Sequence, residues 1–357
     1  MKSLIRGIAV AVLAILSIWP MRGAESWSVP GSTPSQVFAS GSGSASDPYI
    51  INTAQQLANF AYMVYECKDY YEDKYIALGR DIVLNDNVIA NPSSAKAWMP
   101  IGSYGWFKDG KFLGTFDGRG YTISGLYISN SSKFDTYVGL FGTLKSNGTV
   151  KNLNVKDAVI DLSSSTEDDL YVGGIVGYIT DNASVSNCSF EGNIYGNKGT
   201  TYQGGIVGLH KGIKNITSCR FSGKLGANPS DNAYCPVYVG GIVGYSTGSV
   251  YDCSAAVNIC GSLNISDGYI GGIGGCVNAY IVNCTTAATD ANGNACLIKG
   301  INSKTVGGIA GWGSELRHCR NYATVQTDHS SYSMGGVAGG CSKVEYSGVK
   351  PKSRCIC

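Results

Sequence analysis

The chain has 357 residues, with 27 Lys and Arg against 25 Asp and Glu, 49 Gly, 23 Tyr and 13 Cys. Only 15% of the residues are charged, and the near balance of signs excludes recognition of nucleic acid or an anionic membrane through bulk charge. Few charges, many glycines and many β-formers indicate an all-β protein with tight turns.

Residues 1–24 read as an export signal. Lys2 and Arg6 form a basic start, Gly7 to Ile18 is apolar apart from Ser17, and Pro20, Gly23 and Ala24 follow. The apolar run is shorter than the roughly 20 residues a bilayer span needs, so no integral span is expected once the signal is cleaved. The remainder carries a net charge of about −1. Residues 25–47, rich in Ser, Gly and Pro, are expected to be a flexible leader.

Residues 48–130 read as a cap with the first coils. Thr53-Ala-Gln-Gln56 has the form of a capping box, and Leu57, Phe60, Ala61 and Val64 then fall on one helical face. A short amphipathic helix there would cover the open end of a stacked sheet. A strand is expected over Tyr75–Leu84, followed by Trp98-Met-Pro-Ile-Gly102, the run Phe112 to Gly120 and a strand at Ile123–Ile128.

Residues 131–349 are organised by a repeat. Its core is Gly-x-x-Gly around two small apolar residues, in seven copies in register. The pairs are Gly139 with Gly142, Gly174 with Gly177, Gly205 with Gly208, and Gly241 with Gly244. They continue as Gly272 with Gly275, Gly308 with Gly311, and Gly336 with Gly339. Successive copies lie 35, 31, 36, 31, 36 and 28 residues apart. After each of the first six cores an apolar residue precedes a second slot by three, and that slot holds Leu153, Cys188, Cys219, Cys253, Cys284 or Cys319. Each unit therefore offers short strands, such as Tyr171–Tyr178 and Val185–Ile194, separated by polar loops. One unit cannot enclose a core alone; stacking buries its apolar residues and pairs its backbone with the coils on either side. The expectation is a right-handed parallel β-solenoid of seven coils, ~34 Å long at ~4.8 Å per coil. The glycines are expected to relieve crowding where the chain turns sharply or adopts positive φ.

Ladders follow from stacking. Tyr171, Tyr202, Tyr238 and Tyr269 each lie three residues before the first repeat glycine and should align. Tyr178, Tyr245 and Trp312 follow the last one. The tyrosines either rigidify the body or form an exposed aromatic platform for sugars. Leu at the cysteine slot favours inward, reduced thiols that pack like small hydrophobes. Cys235, Cys260, Cys276, Cys296 and Cys341 lie off the ladder, with no pairing assigned. The chain closes with a short tail, residues 350–357. No helix or charged strand is expected to close the last coil, so the chain is expected either to be a shortened form or to associate with a partner through that end.

At these residues the chain resembles bacterial surface proteins with GLUG-motif repeats. The resemblance extends to Asp47-Pro-Tyr-Ile50, Asp81-Ile-Val-Leu84, Trp98-x-Pro-Ile-Gly102 and Phe112-x-Gly-Thr-Phe-Asp-Gly-x-Gly120, and covers residues 46 to 349. The early region also looks like the first coils of pectate-lyase-like β-helices. Such repeats occur in adhesin-like proteins and as a non-catalytic part of zinc-dependent IgA-cleaving peptidases. The resemblance implies surface display and binding to a glycan or to a host or environmental surface protein, not a defined reaction.

A zinc peptidase needs His-Glu-x-x-His, whereas His210, His318 and His329 are isolated and read as surface or loop residues. Polysaccharide cleavage needs converging acids. Asp117 precedes a turn glycine, Asp81 begins a strand, and Glu167-Asp-Asp169 reads as a loop tip. No catalytic residue, metal site or cofactor is therefore assigned. The reading is an exported, non-enzymatic surface repeat protein; the alternatives are a polysaccharide-cleaving β-helix and a structural spacer.

Overall fold

A computed structural model describes residues 23–102, 104–105, 108–129, 136–163, 169–196, 200–227, 237–260, 268–300, 303–327, 333–345 and 347–349. Nearly all of the expected signal, and the tail 350–357, lie outside the described residues. The chain is a parallel β-solenoid. Every strand pair in its three large sheets, of 14, 12 and seven strands, is parallel and joins one coil to the next.

The coil Leu170–Gly196 shows the plan. It has four segments: Leu170–Gly173 in the seven-stranded sheet, Val176–Asp181 and Ser184–Ser186 in the 14-stranded sheet, and Ser189–Gly196 in the 12-stranded sheet. The 14-stranded sheet is two ladders joined where Gly274–Val282 runs through both. Leu170, Val172, Ile175, Val176, Ile179, Val185, Cys188, Phe190 and Ile194 all point into the core. Fully burying such a side chain contributes on the order of 1.5–3 kcal/mol, and only the neighbouring coils make that burial possible.

The two longer strands expected in each unit are each broken by a corner. The second corner has a backbone cause. Asn187 is left-handed at φ 52°, as are Asn152, Ser218, Asp252, Asn283 and His318 at the equivalent position. Asn and Asp tolerate this region because their short polar side chains bond locally. Here they bond along the stack: the Asn187 amide donates to Asn152 Oδ1 at 2.8 Å, and the Asn283 amide to Asp252 Oδ1 at 3.1 Å.

The repeat glycines correct the expectation of positive φ. None of the fourteen, from Gly139 to Gly339, has it. The crowding part of the expectation holds, since close approach requires them. From Gly174 to Gly308 the first glycine of a core makes room for the next coil's carbonyl and for a side chain across the coil: a Cβ on Gly205 would lie 2.2 Å from the Gly241 carbonyl oxygen and 2.3 Å from the Phe221 ring. The second glycine makes room for backbone of the preceding coil, and does so at one recurring point, the nitrogen that follows the tyrosine slot. A Cβ on Gly177 would lie 2.6 Å from the Val138 nitrogen, one on Gly208 2.7 Å from that of Val172, and one on Gly244 2.7 Å from that of Gln203. The same holds for Gly275 against Val239 at 2.8 Å, Gly311 against Ile270 at 2.6 Å and Gly339 against Val306 at 2.7 Å. Gly142, in the first core, has no earlier repeat beneath it and meets the Gly102 carbonyl oxygen of the cap instead, at 1.9 Å.

Helix α1, Ala54–Tyr65, covers the N-terminal end of the core. The Thr53 hydroxyl accepts from the Gln56 N–H at 3.1 Å. The reciprocal bond reaches one residue further back than a capping box does, with Gln56 Oε1 accepting from the Asn52 N–H at 2.8 Å. Phe60 stacks on Phe116 and meets Phe112 edge-on. The expected strand Tyr75–Leu84 divides into Tyr75–Leu78 and Ile82–Val83, in different sheets, because the chain turns a corner at Gly79.

Residues 25–47 correct the expectation of a loose leader. They hold no long strand or helix, yet Trp27 is buried against Trp98 at 5.6 Å and donates from Nε1 to the Leu84 carbonyl at 2.8 Å. Phe38 stacks on Tyr49 at 4.4 Å. Composition hid two anchoring aromatics among the small polar residues. At the other end, Ala338–Glu345 is a charged strand where none was expected: Lys343 pairs with Glu315 at 3.3 Å, and Glu345 with Arg317 at 3.4 Å.

Candidate functional site

The outer side of the seven-stranded sheet carries a tyrosine ladder. Strand alternation turns Val172, Gln203, Val239 and Ile270 inward, where they are buried, and leaves the tyrosines before them half-buried outside. Tyr171 and Tyr202 lie 5.1 Å apart, Tyr202 and Tyr238 4.9 Å, and Tyr238 and Tyr269 5.1 Å, with interplanar angles of 13°, 19° and 1°. Tyr137 extends the row, 5.1 Å from Tyr171. Sequence reasoning missed it because the first repeat is one residue shorter between its tyrosine and its core: Val138 pairs with Val172, but Phe141 pairs with Val176. The signal was there, in Tyr137-Val-Gly beside Tyr171-Val-Gly. Thr305 and Ser333 take the slot in the last two rungs.

A second row flanks the first. Thr143, Tyr178, Leu209, Tyr245, Cys276, Trp312 and Gly340 are in register on the 14-stranded sheet. Tyr178 lies 4.7 Å from Tyr137, and Tyr245 meets Tyr202 and Tyr238 edge-on at 5.6 and 5.7 Å. The Asn278 amide donates to the Tyr245 hydroxyl at 2.7 Å. Trp312 lies over Gly340, where a Cβ would come within 3.1 Å of its ring. Six of the seven predicted aromatics thus share one continuous surface, and Trp312 continues its second row.

What this surface can do follows from ring orientation. The faces of Tyr171, Tyr202 and Tyr238 are taken up by their neighbours, so these residues offer ring edges and hydroxyls to solvent. Burial, then the adjoining tyrosines, pushes the Tyr202 phenol up to about 12, and burial also raises Tyr171. These two tyrosines are therefore neutral O–H donors in the row. Lys304 closes one end, its Nζ 5.3 Å from the Tyr269 ring centroid.

The other predicted ladder is interior. Leu153, Cys188, Cys219, Cys253, Cys284 and Cys319 are at most 2% exposed. Each thiol donates to the carbonyl two residues earlier, at 3.1–3.3 Å, from Cys188 to Ser186 through Cys319 to Arg317. That bond is what a thiol adds to the slot over the Leu of the first repeat. Hydrogen bonding to the adjoining thiol, followed by burial, raises the pKa of Cys219, Cys253, Cys284 and Cys319. A protonated thiol is a poor nucleophile, which keeps the ladder inert. Cys276 and Cys296 are also buried free thiols and Cys341 is exposed. Cys235 and the Cys260 side chain lie outside what is described.

Two expectations about titratable residues need correction. His210 is not a surface residue: it is fully buried, bonded through Nδ1 to Ser246 Oγ at 2.8 Å, with Nε2 lacking a partner. It occupies the inward slot held by Ile179 in the coil before, which a sequence motif does not reveal. His318 belongs to the left-handed corner, and His329 lies outside the described residues. The acids do structural work. Asp117 accepts from the Arg119 N–H and the Asn152 amide, and Asp81 accepts from the Thr122 N–H. Glu167 and Asp168 lie outside the described residues. No group of three His, Cys, Asp or Glu side chains among the described residues is placed to hold a metal.

The GLUG-motif model matches residues 168–195 and 236–259, two stretches that run from a ladder tyrosine into the fourth segment of the same coil. The chain carries GLUG-motif repeats. It is 32% identical over 159 residues to a protein provisionally named a Gly-rich membrane protein of Evansella cellulosilytica, covering 43% of this chain and 16% of that one. It is 30% identical over 207 residues to halomucin of Haloquadratum walsbyi, covering 49% of this chain and 2% of that one. The chain thus spans less than a fifth of the curated relatives it matches. Its fold is similar to that of a solved Bacteroides ovatus protein provisionally described as an immunoglobulin A1 protease, with a TM-score of 0.54, 20% identity, and coverage of 92% of this chain and 84% of that one.

Proposed function

We propose that the GLUG-repeat chain is an exported, non-enzymatic surface protein, adhesin-like in using a rigid solenoid to present a binding strip. The observation that carries this reading is the continuous row of half-buried tyrosines over five rungs, Tyr137 to Tyr269, flanked by Tyr178 and Tyr245. Stacked coils hold such a row without further cost, since each ring is fixed by the ring below it. Surface location is supported by the GLUG repeats and by relatives named a membrane protein and a halomucin. Among the described residues no helix is long and apolar enough to cross a membrane. Non-enzymatic action is supported by the structural roles of the two acids: Asp117 caps its own turn and Asp81 accepts from the Thr122 N–H of the next coil.

The structural-spacer reading has one observation in its favour, the mutual covering of the tyrosine faces. A glycan array on residues 25–357, run beside a reducing-end assay, separates the readings. Binding that falls at least tenfold in Tyr202→Ala with Tyr238→Ala, without new reducing ends, supports the strip. Unchanged binding in that variant returns the tyrosines to a purely stiffening role, and chain cleavage overturns the non-enzymatic reading.

A further inference from the structure

A second surface, on a different sheet from the tyrosines, has the character of a ligand groove. The outer face of the 12-stranded sheet holds a trough of about 350 Å³ running across the coils. Its floor is made of small side chains, Ser189, Ser222, Ser254, Ala256 and Ala287, aligned by register across successive strands. Exposed Lys156, Glu191 and Arg220 stand along it. Arg320 continues the row beyond Thr285, which itself follows Ser254. The Lys156, Glu191, Arg220 and Arg320 side chains form no ion pair with another described residue. In a chain whose charges nearly balance, an unneutralised excess of cations on one face is a local feature, not a consequence of composition.

We infer that this trough binds an extended anionic polysaccharide lying along the solenoid axis. Three physical points select that class. The floor is a sheet face whose backbone groups are all engaged in the ladder, so a peptide cannot add to it as a strand. Phe190 and Phe221 beneath it are at most 2% exposed, so there is no aromatic platform for unstacked nucleic-acid bases. The Ser222 and Ser254 hydroxyls have no partner among the described residues and lie beside the guanidinium, the donor set that hydroxyls and carboxylates or sulfates require. Coils advance ~4.8 Å, close to the advance of one sugar in an extended pyranose chain. Lys156 and Arg220 are two coils apart, with Glu191 on the coil between them. Glu191 is in register with Ser222, whereas Arg220 is in register with Ser189 and Ser254, so the acid stands in the row beside the arginine's and leaves that row to an anionic group.

The test is calorimetric titration of residues 25–357 with three probes: hyaluronan octasaccharide, a heparin octasaccharide, and neutral cellohexaose. Hyaluronan should bind, with an affinity that weakens as salt rises. Arg220→Ala should weaken it at least tenfold, Arg220→Lys should retain most of it, and Ser254→Trp, which fills the floor, should abolish it. Tyr202→Ala should leave it unchanged, so failure here is distinguishable from failure of the tyrosine strip. Tighter heparin binding that keeps the same Arg220 and Ser254 dependence would assign sulfate over carboxylate within the same site. Equal binding of cellohexaose, no binding of either acidic oligosaccharide, or binding indifferent to Ser254→Trp would overturn the assignment. Circular dichroism of each variant confirms that the body is folded.

Discussion

The cap and the repeat body solve the same burial problem with opposite materials. The cap core is built from large rings, Trp27, Phe60, Trp98, Phe112 and Phe116, crossing at angles from stacked to edge-on. The body core is built from Val, Ile and Cys at the same slot in coil after coil, as in Val150, Val185, Ile216, Val250 and Ile281. A closing element has no repeat to match, so bulky rings fill an irregular space. A stack must keep each slot nearly constant in volume, because every coil is the template for the next. Specificity in the cap therefore comes from shape, and in the body from register.

The comparison is broken most forcefully at Phe116, which the helix and the first coils share. Phe116→Ala should cost about 3–5 kcal/mol. In urea unfolding it should melt the cap ahead of the body, visible as tryptophan fluorescence from Trp27 and Trp98 changing before far-ultraviolet dichroism. Coincident transitions would show that cap and body unfold as one unit.

Next in size is His210, the polar exception inside the body. Burial lowers its imidazole pKa to about 4 from 6.5. Between those values the unfolded chain takes up a proton that the folded chain refuses. The folded state is thus undisturbed above pH 6.5 and loses stability as pH falls to 4, by about 3 kcal/mol for this group. The urea midpoint should fall less between pH 7 and pH 4.5 in His210→Leu than in the parent. An equal fall in both would place the acid sensitivity elsewhere.

The smallest effect sharpens the role of the helix. Thr53→Ala removes the hydroxyl that accepts from the Gln56 N–H and should cost about 1 kcal/mol. Hydrogen exchange should rise at the first turn of α1 and stay unchanged in coils beyond Leu170. Faster exchange throughout the body would mean that the cap governs the whole stack.

Much of this architecture was legible in residue order, and the reason is repetition. A slot filled seven times by Gly-x-x-Gly, or six times by Leu and Cys, carries its own alignment, and parallel stacking is the arrangement that buries it. The capping helix was legible from Thr53, Gln56 and the spacing of Leu57, Phe60 and Val64. Outside the periodic signal the reading weakened. Trp27 and Phe38 sat among flexible-looking residues, Tyr137 was displaced by a one-residue deletion, and His210 occupied an apolar slot without a motif. For the glycines, relief of crowding was legible but its separation from positive φ was not, because a residue without a side chain reads the same in either role.

Residue order by itself determined the stacking direction of the chain's apolar slots and the identity of its ladders. Only the tertiary structure decided which way the tyrosine ladder faces, because inside and outside differ by a single step along a strand, and the corners that reset that step are made by left-handed Asn187 and its equivalents and by glycines at close approach. The same corners set the cysteines inside and the tyrosines outside. They also bring Lys156 and Arg220, 64 residues apart in the chain, onto one trough whose lining runs across the coils from Thr122 to Ala287. That proximity arises from coil closure, which no local pattern encodes.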